Sequence, residues 1–97
     1  MAGYQRQTAM AGHEAIRLAG EYLPERIPLE RTGGDDHSIT LAGGDGTVTI
    51  RAHRHGPETV VTVETDQLRT SRIDNEVQHY LNQLPYQPED QQRRHGR

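Results

Sequence analysis

Six histidines in a chain of 97 residues raise metal ligation first. His53 and His55 stand two apart in a stretch that alternates like a strand, so both project from one face, as two ligands of one ion must. His37, beside Asp35 and Asp36 on a turn, is the third partner such a site would need. Nothing in the spacing fixes the distance from His37 to that pair, and His55 abuts Gly56-Pro57, where the strand ends. These residues therefore read as a solvated outer face, with no metal and no cofactor expected. His13-Glu14 opens like a zinc-protease helix, but Arg17 occupies the place of the second histidine. No serine stands in a Gly-x-Ser-x-Gly elbow. GGDG at 43–46 has neither the lysine of a P-loop nor the ligand series of an EF-hand. Asp35, Asp36 and Asp45 lie in glycine-rich turns, where aspartate is favoured by its bonds to nearby backbone. No residue is assigned a catalytic role, and an enzyme is not expected.

Binding chemistry is better represented. Arg51, His53, Arg54 and His55 form a basic run on and beside one strand, and Arg93, Arg94 and Arg97 make the C-terminus basic. Clustered cations of this kind neutralise phosphates, which is an RNA- or ribosome-binding reading. Against it stand 11 arginines with no lysine, 14 acidic residues, a net charge of −3 and few aromatics to stack bases. Glu58 and Glu64 on the next strand are placed to pair with the arginines. A second surface comes from Val77, Tyr80, Leu81 and Leu84, an apolar stripe at helical spacing, with Tyr86 beyond it. That stripe is either packed on its own sheet or offered to a partner. With so thin a core, the sequence favours a protein partner, a second copy in a homodimer, or a hydrophobic particle surface.

The elements that must position these residues are legible in outline. Thr8 is a candidate cap for a helix in which Ala15, Ile16, Ala19, Tyr22 and Leu23 recur at three- and four-residue spacing, ending near Tyr22 before Pro24. ERIPLERT can supply a short edge strand, since Pro28 cannot donate to a ladder. HSITLA, TVTIRAHR and TVVTVET alternate, with GGDD, GGDG and HGPE as turns. Ile39 and Leu41, Val48, Ile50 and Ala52, and Val61 and Val63 form the inward set, and Thr47, Thr49, Arg51 and His53 point outward. A second helix starts at Thr70 or Ser71, carries Asp74 and Glu76 in its first turn, and stops at Pro85. The expected organisation is a loose N-terminus over 1–7, one α+β domain over 8–84, and a disordered polar tail over 85–97. Within the domain, an antiparallel meander of three to four strands is flanked by an N-terminal and a C-terminal helix.

Residues 9–84 resemble the small polyhydroxyalkanoic-acid system proteins associated with polyester granules. The likeness rests on HEAIRLAGEYL in the opening helix, GDGTVTI, the alternating TVVTVET, and RIDNEVQHYLNQL in the closing helix. TDQLRTS stands where that family carries an apolar segment before its last helix. The resemblance implies a non-catalytic granule-associated role. The last helix is also similar to that of the ribosome hibernation factors, in Ile73-Asp74 followed by Val77, Leu81 and Leu84. Their role implies a strand before the first helix and a basic surface for ribosomal RNA.

Composition sets the frame for both. Leucine, isoleucine and valine number 7, 5 and 5, phenylalanine is absent, and there is no cysteine for a disulfide or a thiolate. The start MAGYQRQTAMAGHEA lacks the charged-then-apolar order of a secretion signal, and no apolar run spans a bilayer. A cytoplasmic protein is the resulting expectation.

Overall fold

A computed structural model describes residues 2–85. The element order is β1 (Ala2–Thr8), α1 (Gly12–Arg26), β2 (Glu30–Asp35), β3 (Ser38–Gly43), β4 (Gly46–His55), β5 (Glu58–Thr65) and α2 (Arg72–Gln83). The strands form one five-stranded antiparallel sheet in the order β1-β5-β4-β3-β2. Both helices pack on the same face. This is the expected α+β class, with five strands where the sequence suggested three to four.

The extra strand corrects the reading of 1–7 as loose. β1 pairs with β5 over its whole length, from Ala2 opposite Thr65 to Thr8 opposite Thr59. Hydrophobicity alone does not reveal its alternation, because the helix-facing positions are Ala2, Tyr4, Arg6 and Thr8 rather than large aliphatics. They are satisfied by specific bonds. Arg6 Nη2 donates to the Leu84 carbonyl at 2.9 Å, and Thr8 Oγ1 donates to the Pro85 carbonyl at 2.8 Å. Thr8 thus ends a strand instead of capping α1, which begins after Ala11 with no side-chain cap. Residues 86–97, including Tyr86 and the arginines of the C-terminus, lie outside the described residues.

Pro24 does not stop α1. The helix runs to Arg26, and the Ile27 amide closes its last turn on the Leu23 carbonyl at 2.9 Å. A proline this near the end forfeits little more than one bond. Continuing the helix buries Leu23 and Ile27 at 1% exposure each, and each such burial is worth about 1.5–3 kcal/mol. The GGDD segment also departs from expectation: Gly33, Gly34 and Asp35 belong to β2, and the chain turns at Asp36-His37.

The meander itself follows the predicted alternation. Ile39 faces Ile50, Leu41 faces Val48, and Ile50 and Ala52 face Val63 and Val61. All are buried against Ala15, Ile16, Ala19 and Leu23 of α1 and Ile73, Val77 and Leu81 of α2. Tyr80 joins the two helices, its hydroxyl donating to the Ala15 carbonyl at 2.7 Å, and burial pushes its phenol far above the usual range.

Asp74 is fully buried at the N-terminal turn of α2. Its carboxylate accepts from Tyr4 Oη at 2.7 Å, from Thr65 Oγ1 at 2.9 Å and from Ser71 Oγ at 2.7 Å. Ser71 Oγ in turn accepts the Asp74 amide at 3.1 Å and so caps the helix. Burial first, and then the bond to Asp74, hold the Tyr4 phenol above its ordinary pKa. One carboxylate therefore ties β1, β5 and the start of α2.

Removing it leaves three hydroxyl donors without this acceptor, that of Thr65 in a buried setting. Asp74→Ala is expected to cost roughly 3 kcal/mol and Tyr4→Phe about 1 kcal/mol in urea unfolding, from the usual worth of bonds to charged groups. Equal, negligible losses would contradict this description.

Candidate functional site

Helix α1 covers β3, β4 and β5 but stops short of covering the edge strand β2. Pro28 delays the strand to Glu30, and the register then shifts between Arg31 and Gly33. A groove of about 700 Å³ opens between α1 and the β2–β3 hairpin. Ile16, Leu29, Ile39 and Leu41, all nearly buried, form its floor. Gly20 lets the helix come close there: a Cβ at that position would sit 3.0 Å from Ile39 Cδ1.

The rim carries charged side chains of both signs. His13 and Arg17 stand on the helix side, with Glu30, Asp35 and Asp36 on the strand side beside Arg31. Arg17 donates to Glu14 at 2.6 Å, and that bond holds the Glu14 carboxyl below its usual range. The Asp35 carboxyl is also held low, chiefly by the His37 amide donating at 2.8 Å, with Ser38 adding a bond at 3.3 Å. The groove is thus an apolar slot with fixed charges at its lips.

The basic run is dispersed by the pleat. Arg51, His53 and His55 share the outer face of β4, whereas Arg54 lies on the other side and donates through Nε to the Gly56 carbonyl at 3.0 Å. Arg51 pairs with Glu64 at 3.3 Å, the cross-strand pairing foreseen from the sequence. His37 sits in the β2–β3 turn, with its carbonyl accepting from the Ala52 amide. Among the described residues no group of three or more potential ligands could hold a metal ion.

The apolar stripe of α2 requires a larger correction. Val77, Tyr80 and Leu84 are at most 1% exposed and Leu81 is 7% exposed. They face the sheet and α1 and belong to the core. Tyr86 lies outside the described residues. The groove that replaces this stripe as the candidate site was not read from the sequence. Its signals were Pro28 followed by ERTGG, a strand with no inward aliphatic after Leu29, beside a helix that keeps a glycine at position 20. Within the described residues, no helix is long and apolar enough to cross a membrane.

Compared with known proteins, the chain matches no family model and no curated sequence.

Two carboxyls give the site and its neighbouring turn a pH signature. Asp66 accepts the Thr47 amide at 2.9 Å beside Gly46, whose φ of +135° and closeness to Asp66 leave no room for a side chain. That bond lowers its pKa, as the His37 amide lowers that of Asp35. A lowered folded-state pKa adds stability that is complete above the unfolded value and lost as pH falls through the folded one. Urea unfolding compared at about pH 6 and about pH 3 is expected to show an acid loss that is smaller in Asp66→Asn than in the parent. An identical acid loss in the two proteins would refute the role of this carboxylate.

Proposed function

We propose that this chain is a non-catalytic interaction and assembly protein that seats an apolar side chain or short apolar segment of a protein partner in the α1/β2–β3 groove. The observation that carries this reading is the apolar floor of Ile16, Leu29, Ile39 and Leu41 opening between charged lips. A slot of about 700 Å³ is within the range of specific ligand pockets, ~300–1,000 Å³. A rim carrying Arg17 on α1, and Glu30, Asp35 and Asp36 beside Arg31 on the hairpin side, would suit a partner that carries both signs.

A protein segment suits this surface better than the polyester particle implied by the family resemblance. Binding a broad apolar particle calls for a contiguous exposed apolar patch. Among the described residues Leu68, at 72% exposure, is the large hydrophobic side chain that stands out to solvent. Self-association as a homodimer and a cytoplasmic setting belong to the same reading.

RNA binding is the second reading, favoured by the shared outer face of Arg51, His53 and His55 on a sheet whose other side holds both helices. Glu64 takes up part of that charge. Binding of a single-stranded RNA that weakens steeply with salt, and less steeply in Arg51→Ala, would support it. No binding at low salt would end it.

The groove reading is tested with 8-anilinonaphthalene-1-sulfonate, an apolar ring system carrying one anionic group, added to methyl-labelled protein. The Ile16, Leu29 and Ile39 methyl signals are expected to shift in a saturable way, and Arg17→Glu to weaken binding several-fold. Shifts confined to Leu68 or to the outer sheet face, or none, would reject the groove as the site.

A further inference from the structure

The two edges of the sheet are built in opposite ways. At one edge, β2 is broken by the register shift between Arg31 and Gly33 and by Gly34 at φ +132°, and it ends in Asp35-Asp36. Bulges, irregular backbone and charge are the usual defences against pairing with another chain. At the other edge, β1 runs for seven residues, AGYQRQT, in unbroken register with β5 and without proline. It carries none of those defences except Arg6.

The hydrogen-bonding direction of β1 follows from its neighbours. The Asp66 amide donates to the Thr47 carbonyl at 3.2 Å, which makes Thr47 and Asp66 a bonded pair. By the alternation of antiparallel ladders, Thr59, Val61, Val63 and Thr65 then turn their main-chain groups toward β1, where they meet Thr8, Arg6, Tyr4 and Ala2. The main-chain groups of Gly3, Gln5 and Gln7 consequently point away from the sheet. Two bonds agree with this direction. Arg69 Nη2 donates to the Gly3 carbonyl at an exposed 3.5 Å, and the Ala9 amide donates outward to the Pro85 carbonyl at 3.4 Å.

We infer that this edge is a homodimer interface, in which β1 of one copy pairs antiparallel with β1 of a second about a two-fold axis through Gln5. The sequence is self-complementary in that register. Gln5 faces its own copy and Gly3 faces Gln7, all with main-chain groups aimed at the new ladder. On the helix side Tyr4, on whose ring Arg69 stacks at 5.0 Å, faces Arg6 of the other copy, and Ala2 faces Thr8. The weak Arg69 bond to Gly3 is exchanged for a main-chain bond from Gln7. The two five-stranded sheets become one continuous sheet, with the grooves at its far ends. A single strand pair buries little, at the low end of specific interfaces below about 1,200 Å², in the class of weak, transient contacts.

This inference extends the assembly reading but does not depend on what occupies the groove, and the experiment separates the two. Full-length protein is followed by sedimentation velocity over a concentration series, together with amide exchange at Gln5 and Gln7. Gln5→Pro removes an outward N–H and spares the β5 ladder, so it is expected to weaken dimerisation about 100-fold with the melting temperature little changed. Gln5→Lys places two ammonium groups face to face and is expected to weaken the dimer in a way that added salt relieves. It decides the matter if the proline variant fails to fold. Arg17→Glu is expected to dimerise like the parent, so a failed groove leaves this result standing. A wild-type monomer at every concentration, or a dimer indifferent to both Gln5 variants, would overturn the inference. So would a monomer whose Gln5 and Gln7 amides are protected, because residues 86–97 or another part of the same chain would then hold the edge.

Discussion

A buried carboxylate without a cationic partner is costly, and Asp74 is tolerated because three hydroxyl groups and a helix start converge on it. Those donors come from β1, from the end of β5 and from the residue that caps α2. The chain ends otherwise have few apolar residues with which to hold on. β1 contributes Ala2 and the partly buried Tyr4 to the interior, and its remaining inward positions are polar. The polar cluster does for β1 what aliphatic side chains do for the middle strands. With β1 in place, the Arg6 and Thr8 bonds to the Leu84 and Pro85 carbonyls fasten the end of α2 as well.

This division of labour explains how so few large aliphatics suffice. They are concentrated where β3, β4 and β5 meet the inner stripes of the two helices, and the periphery is held by directed bonds. The consequence is an uneven molecule. Its centre is closed, one edge gapes into an apolar groove, and the other edge is a clean strand fixed by a buried polar cluster. The proposed recognition falls at the first edge and the proposed self-association at the second, the places where packing and main-chain pairing are left incomplete.

Much of this was legible in the sequence. The inward set from Ile39 to Val63, the outward row from Thr47 to His53, the Ser71 cap and the α2 stripe all follow from periods of 2 and 3.6. The misreadings share a physical origin. β1 is amphipathic through polar groups with specific partners, which a hydrophobicity pattern does not register. Pro24 was read as a stop by a local rule, but the burial of Leu23 and Ile27 outweighs one lost bond. The α2 stripe was legible as a stripe, but whether it faces a partner or its own sheet depends on where α1 lies. The groove depends on how α1 sits over the β2–β3 hairpin, which the periodicity of neither element encodes.

The central claim is that Asp74 locks β1 onto a core that would otherwise hold without it. Native-state amide exchange in Asp74→Asn measures this directly. The Tyr4 and Arg6 amides, which point into the β1–β5 ladder, are expected to exchange about 100-fold faster than in the parent, by the loss of two charge-assisted bonds. The Val48 and Ile50 amides, which exchange through opening of the whole sheet, are expected to quicken by no more than the stability that urea unfolding of the same variant loses. No change at Tyr4 and Arg6 would contradict the account.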